Sequence, residues 1–167
     1  MRALQSIYAW VGIVVLILLM LPTVALVRLF DRSDGHYATG RVFRVMGTWL
    51  TRVNPVWKVT QSGALPDGPR RPFVVVANHQ SNADIPVISY LPWEMKWVAK
   101  KELFELPVVG WMMRMSGDIP VDRKDLDGRA AAVLRAKRTL RQRISVMFMP
   151  EGTRSRDGRV LRYQEGA

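Results

Sequence analysis

The longest unbroken hydrophobic stretch runs from Ile7 to Val27 (IYAWVGIVVLILLMLPTVALV), and residues 3–27 carry no charged side chain. At about 1.5 Å per residue, a helix of twenty-odd residues reaches roughly 30 Å, the thickness of a bilayer's hydrocarbon core. A cleaved secretory signal needs a shorter apolar stretch, about 7–15 residues, ending at a small-x-small site. Thr23-Val24-Ala25, followed at once by Arg28 and Phe30, is a poor site of that kind. The pattern therefore predicts a retained membrane helix rather than a signal or a buried core helix. Pro22 is expected to kink it near its end or to turn it back within one leaflet. Arginines at 28, 32, 41, 44 and 52 follow the stretch and only Arg2 precedes it. That bias puts the body on the cytoplasmic side of the inner membrane.

Gly40–Val53 (GRVFRVMGTWLTRV) repeats at helical spacing. Val42, Val45, Met46, Trp49, Leu50 and Val53 share one arc, and Arg41, Arg44, Thr48 and Arg52 the opposite one. The helix either lies in the headgroup region on its apolar face or packs that face on the body. Beyond Asn54-Pro55 the pattern changes to short apolar runs between turns. Strands are expected at Val56–Gln61, Phe73–Ala77, Lys96–Ala99, Asp118–Val121 and Ile144–Met149. Phe73–Ala77 and Ile144–Met149 are continuous apolar runs, as in strands buried on both faces. Gly63–Pro72, with two Gly and three Pro, is a loop. Helices are expected at Asp84–Leu91, with Pro86 in the first turn, and at Leu126–Arg143, capped by Asp125 or Asp127. The latter should bury Ala130, Val133, Leu134 and Leu140. Lys101–Leu106 and Val108–Ser116 read as helical or irregular. The alternation predicts an α/β fold: a membrane helix or helix pair, then a mixed, largely parallel sheet flanked by helices. The division falls at 1–54 for the anchor and 55–167 for the catalytic part.

Composition sharpens this in two ways. The 167 residues carry a net charge of +11, and all 14 acidic and 24 of the 25 basic side chains lie from Arg28 onward. A basic body behind an apolar head implies an anionic membrane, a phosphorylated substrate or nucleic acid as partner. No nucleic-acid-binding signature is present. Arg129, Arg135, Lys137, Arg138, Arg141 and Arg143 fall in the last predicted helix, either as a solvated face or as a surface for membrane or acidic partner. Cysteine is absent and histidine occurs only at 36 and 79. Disulfides, thiol nucleophiles and metal sites are thereby excluded or nearly so.

The chemistry gathers where predicted strands end. FVVVA runs into Asn78-His79-Gln80-Ser81-Asn82-Ala83-Asp84. Strand C-termini are where sites form in α/β sheets. The five-residue separation lets the chain leave a strand, turn, and start a helix, capped by Ser81 or Asn82, whose first turn aims Asp84 back at His79. A carboxylate on one ring nitrogen fixes the tautomer and leaves the other nitrogen as a base. With no thiol and Ser81 too close to serve as nucleophile, a substrate hydroxyl is the group to be activated. Gly117-Asp118-Ile119-Pro120-Val121-Asp122-Arg123 and Pro150-Glu151-Gly152-Thr153-Arg154-Ser155 each bring an arginine to a strand end. Two such arginines can clamp a phosphate.

NHQSNAD, GDIPVDR and PEGTRS, in this order, resemble the first three sequence blocks of the glycerolipid acyltransferase family, and among its branches the bacterial 1-acylglycerol-3-phosphate acyltransferases. His79 and Asp84 match its H-x4-D signature, Gly117, Ile119, Val121 and Arg123 its second block, and Glu151–Ser155 its third; Pro120 stands where many members have an aromatic residue. The resemblance implies a glycerol-3-phosphate acyltransferase-like fold and acyl transfer from acyl carrier protein or coenzyme A to the 2-hydroxyl of lysophosphatidic acid, giving phosphatidic acid. It implies His79 as base and Asp84 as its orienting partner, with Lys100, Arg123, Glu151, Gly152, Thr153 and Arg154 binding substrate. No metal and no cofactor beyond the thioester is implied. The oxyanion donors would be backbone amides near His79 or a cation, and the strands FVVVA and ISVMFM would help line an acyl groove. The family's fourth block, an apolar proline-containing strand, has no match before Ala167. The domain is therefore expected to be incomplete at its C-terminus, and this stretch inactive or poorly folded alone. A different glycerolipid acceptor, or a non-catalytic protein that binds anionic lipid, are the competing readings.

Overall fold

The computed structural model describes residues 2–53, 56–65, 67–68, 70–155 and 157–163. The expected boundary at Asn54-Pro55, Pro66 and Pro69 of the loop, and the terminal Gln164–Ala167 lie outside the described residues.

The apolar head forms one helix, α1 (Arg2–Phe30), which continues through Pro22. The reversal expected at Pro22 comes instead at residues 31–36. There Gly35 and His36 both take left-handed φ, 59° and 54°, in and just after a short 3-10 turn (Asp34–His36). The positive φ of Gly35 favours glycine, and a Cβ there would also push aside the ends of the Gln142 and Ile144 side chains, each 2.7 Å away. Asp31 locks the turn: its Oδ2 accepts the backbone N–H of Thr39 at 2.7 Å and the Thr39 hydroxyl at 2.6 Å, and its Oδ1 accepts the N–H of Ser33 at 2.9 Å. Partial burial opposes ionisation of Asp31, but these donors outweigh it and hold its carboxyl far below the ordinary carboxylate range.

The chain then returns along α1 as α2 (Tyr37–Arg52). Of the two arrangements expected, burial goes against the one that packs the whole apolar arc on the body. Gly40, Arg44, Thr48 and Thr51 are buried, whereas Val45 and Trp49 are 39% and 43% exposed. The body offers polar partners to the polar arc, and of the apolar arc only Met46 is fully buried, in a cluster with Met20 and Val24. A Cβ on Gly40 would overlap Glu94 and Lys96, so α2 lies close against the body here.

The body has β1 (Val74–Val76), α3 (Asp84–Ile88), β2 (Met95–Lys100), a 3-10 helix (Lys101–Glu105), α4 (Val109–Ser116), β3 (Ile119–Val121), α5 (Leu126–Arg141) and β4 (Ser145–Phe148). The strands form a four-stranded, wholly parallel sheet in the order β1-β4-β2-β3. Met147 pairs with Val75 and Trp97, and these join Met95, Trp93 and Ile88 in the core on the α3 side. Val146, Phe148, Val98 and Ile119 pack on α5.

Three expectations change. Val56–Gln61 is not a strand. FVVVA is an edge strand rather than a strand buried on both faces: Val74 and Val76, on the α5 side, are 57% and 55% exposed because α5 covers β2, β3 and β4 instead. The helix α5 is capped by Asp125 as expected, whose carboxylate accepts the N–H groups of Asp127 and Gly128. However, it packs through Ala132, Ala136, Thr139 and Leu140, and Val133 and Leu134 face outward. Small residues let the helix lie close to the sheet, which rotates the larger ones away.

The outer helix α1 packs on α2 and α4, where Leu16, Ile17, Met20, Leu21 and Val24 meet Val108, Val109 and Met112. At Gly110 a Cβ would lie 2.6 Å from the Phe104 carbonyl carbon and 2.8 Å from Leu103 O. These are backbone atoms that cannot step aside. Gly110→Ala should therefore destabilise the fold by about 1–3 kcal/mol, read from denaturant unfolding of the detergent-solubilised chain.

Candidate active site

Because every strand is parallel, all four C-terminal ends share one edge of the sheet. β1 leads into the His79 turn, β2 ends at Lys100, β3 leads to Arg123, and β4 leads into Pro150–Ser155. The adjacency of β1 and β4 brings the first and third motifs together. Ala77 N–H donates to Phe148 O at 3.2 Å, and Ser155 N–H to His79 O at 2.8 Å.

His79 Nδ1 lies 2.8 Å from Asp84 Oδ2. The same oxygen accepts the backbone N–H groups of Gln80 and Ser81 at 2.8 and 3.0 Å. Asp84 is the first residue of α3, where the helix dipole also favours a carboxylate. The expected cap at Ser81 or Asn82 takes another form: the Ser81 hydroxyl accepts Ala83 N–H at 3.0 Å, one residue before the helix. Partial burial raises the Asp84 carboxyl, but the Ser81 amide, the His79 ring and the Gln80 amide pull it lower, to a net position below the usual range. A carboxyl depressed on folding stabilises the fold above its unfolded pKa and loses that contribution as pH falls through the native value. The His79 side chain is 19% exposed. Its Nε2 makes no hydrogen bond among the described residues, so it is the ring atom available to a ligand.

Glu151, expected among the substrate-binding residues, is buried and held by backbone amides. It is 2% exposed, its Oε1 accepts His79 N–H at 3.1 Å, and its Oε2 accepts Leu161 N–H at 3.0 Å. The residue thus fastens the His79 turn to the segment after the third motif, with both oxygens already engaged. Glu151→Gln puts an amide N–H2 against one of these backbone donors. It should cost about 1–3 kcal/mol of stability and lower acyl transfer in proportion to the displacement of His79. A thermal melt beside the activity assay reads both, and an unchanged melt would remove this role.

Arg123 and Arg154 are exposed and lean inward over the same edge. Arg123 Nη1 donates to Gly152 O, and Arg154 Nη1 to Asn82 Oδ1 at 3.4 Å. Both acceptors are neutral, and an anion would be the stronger partner. Gly152 takes a left-handed φ of 67°, which its lack of a side chain permits. Lys100 and Thr153 are exposed on this edge. Among the described residues no cluster of three or more metal-ligating side chains occurs.

Sequence reasoning missed the support beneath the second motif. Asp118 is 6% exposed and accepts Arg44 Nη2, Trp97 N–H at 2.9 Å and the Ser116 hydroxyl at 3.2 Å. Arg44 itself is 4% exposed, with its guanidinium 5.6 Å from the Trp97 ring centre. Beside it Lys96 Nζ donates to Glu94 Oε1 at 2.8 Å, His36 O at 3.1 Å and Ser116 O at 2.5 Å. Burial pushes the Glu94 carboxyl up despite the opposing pull of Lys96 and Arg44. The one available signal was Arg44 standing among apolar neighbours in α2.

A parallel sheet with a carboxylate-held histidine and two exposed arginines at one edge, behind a helix long and apolar enough to cross a membrane, has the architecture of an α/β enzyme. The chain belongs to the acyltransferase family, whose model matches residues 57–167. It is 34% identical over 163 residues to a chloroplastic 1-acyl-sn-glycerol-3-phosphate acyltransferase of Brassica napus, covering 95% of this chain and 46% of that protein. A Helicobacter pylori protein of the same name is 38% identical over 96 residues, 56% of this chain and 40% of its own. The crystal structure of the 1-acyl-sn-glycerophosphate acyltransferase PlsC from Thermotoga maritima superimposes with a TM-score of 0.71 at 27% identity, covering 98% of this chain and 66% of that one. The chain spans less than half the length of these curated relatives.

Proposed function

We propose that this protein transfers an acyl group from an acyl carrier protein or coenzyme A thioester to the 2-hydroxyl of 1-acyl-sn-glycerol-3-phosphate, forming phosphatidic acid. The observation that carries the reading is the 2.8 Å His79–Asp84 contact on the sheet edge that also presents Arg123 and Arg154. The names of the relatives supply the acceptor.

In this reading Asp84 holds the proton on Nδ1, so Nε2 takes the hydroxyl proton as the substrate oxygen attacks the thioester carbonyl. The tetrahedral intermediate then expels the thiolate, which recovers the proton from Nε2. Arg123 and Arg154 leave their neutral acceptors for the glycerol phosphate, with Lys100, Gly152 and Thr153 beside it. Glu151 positions the His79 turn rather than touching substrate.

Residues 1–54 serve as the anchor and 55–167 as the catalytic part. The helix α1 has an apolar span from Leu4 to Phe30 that is long enough to cross a membrane and mostly not buried. Its middle packs against α2 and α4 of the body, so α1 lies along the body rather than standing clear of it. That arrangement favours a hairpin embedded in one leaflet of the inner membrane, with the basic body on the cytoplasmic side.

The direct test is transfer of a labelled acyl chain by the complete gene product to a panel of lysophosphatidic acid, glycerol-3-phosphate and lysophospholipids with head groups. Preference for lysophosphatidic acid supports the proposal, and preference for another acceptor overturns it. Removing either phosphate-facing arginine should act chiefly on binding. Arg123→Ala and Arg154→Ala should each raise the lysophosphatidic acid KM by roughly tenfold or more, as expected for a lost charge-assisted pair. An unchanged KM would displace the phosphate from this edge.

A further inference from the structure

The short 3-10 helix after β2 and the start of α4 present an apolar shoulder that the proposed reaction does not use. A 3-10 helix has three residues per turn, so side chains three apart share an edge. Leu103 and Leu106 fall on one such edge, joined by a hydrogen bond from Leu106 N–H to Leu103 O at 3.4 Å, and are 40% and 47% exposed. Glu102 and Glu105 fall on the next edge, and Phe104 on the third points inward, 4% exposed. Pro107 follows, exposed, and Trp111, one turn into α4, is 50% exposed.

The backbone holds this shoulder out at some strain. Val108 has φ 64° and ψ −67°, and Val109 N–H donates to Pro107 O at 2.8 Å. That is a γ-turn of the strained hand, on a β-branched residue that rarely takes positive φ. The turn lets Val108 and Val109 pack on α1 beside Leu16, Ile17 and Met20 while Leu106 and Pro107 stay at the surface. Two residues of chain reach about 7 Å at most. The exposed pair therefore borders α1, whose Leu18 and Leu19 are 54% and 59% exposed in the same stretch that touches Val108.

We propose that Leu103, Leu106, Pro107 and Trp111 form a second membrane-inserting element, which dips into the same anionic leaflet as α1. The proposal rests on the reading of α1 as a membrane helix. A bilayer is the occupant that fits because the shoulder sits beside a helix of membrane length, and Trp and Leu suit the headgroup boundary. Exposed Lys100 and Arg114 offset the exposed Glu102 and Glu105 of the same stretch, within a body that is basic as a whole. With two attachments instead of one, the body cannot roll about the α1 axis, and the strand-end edge keeps a fixed attitude to the bilayer.

The absence of cysteine makes the test clean, since one introduced thiol carries one probe. Leu106→Cys, Leu18→Cys and Lys137→Cys are each labelled with an environment-sensitive fluorophore and mixed with phosphatidylglycerol–phosphatidylcholine vesicles. Labels at 106 and 18 should brighten several-fold, shift to the blue, and be quenched by nitroxides on the acyl chains. The label at 137, exposed on α5, should stay in water. If 18 inserts and 106 does not, the proposal fails and the membrane reading of α1 stands. If neither inserts, both fail. A blue shift at 106 that needs no vesicles and grows with protein concentration would make the shoulder a self-association surface instead. Independently, the double variant Leu106→Ser/Trp111→Ser should weaken vesicle binding by about tenfold or more with an unchanged melting temperature. Unchanged binding overturns the proposal.

Discussion

His79→Ala should reduce acyl transfer by the complete gene product by about 10³-fold or more, while its melting temperature and vesicle binding stay as in the wild type. General base catalysis is worth about 10²–10⁴ in rate, and the other described charged groups on this edge are poorly suited to replace the ring, Asp122 being paired with Lys101. Lys100, Arg123 and Arg154 are cations, and Asp84 is already occupied by the ring and two backbone amides. The His79 backbone N–H, which Glu151 holds, survives the substitution, so the turn should keep its shape. Asp84→Asn is the informative companion. It preserves side-chain volume but offers the Gln80 and Ser81 amides a weaker acceptor and lets the ring choose the wrong tautomer. It should lose most of the rate with a smaller effect on KM. Retention of more than a tenth of the wild-type rate by His79→Ala would remove the histidine from the proton path.

The second large effect is on stability. Asp118→Ala should cost about 3–5 kcal/mol, the range seen when one partner of a buried ion pair is removed. The loss has three parts: Arg44 keeps a buried charge with no carboxylate, the Trp97 amide loses its acceptor, and the Ser116 hydroxyl loses one of two partners. For a chain of this size the melting temperature should fall by roughly 10 °C or more. The pair need not itself be strongly stabilising, because desolvation of two charges offsets most of their attraction. Arg44→Met combined with Asp118→Ala should therefore recover a good part of the loss. The cycle is read by denaturant unfolding in detergent; strictly additive single losses would show that the two side chains do not depend on each other. Asp118 lies five residues before Arg123, and Arg44 lies on α2, so this pair ties the helical hairpin to the strand that delivers Arg123.

Much of the site was legible in one dimension because its geometry is local. The His79–Asp84 contact needs only a strand end, a turn and the start of a helix, and five residues of chain encode all three. The helix at 126–141 and its Asp125 cap were readable for the same reason, since a cap is satisfied by amides two and three residues away. Burial was less legible. The period of α2 separated its two arcs but left open which of them meets the body; Arg44 of the polar arc went in because Asp118, far along the chain, supplies its partner. FVVVA looked fully buried because an edge strand and a central strand can share one composition. Only the strand order showed that β1 has a neighbour on one side and lacks the cover of α5.

The sequence by itself determined most of the element types, the apolar head, the three motifs and the family they resemble. Each depends on residue type and short spacing. The tertiary structure alone decided the strand order, which sets β1 beside β4 so that motifs dozens of residues apart meet on one edge. It also made Glu151 a tie between two loops and Arg44 a buried charge. Those outcomes depend on which distant backbone amide or carboxylate lies within about 3 Å, a distance set by packing and not by spacing along the chain.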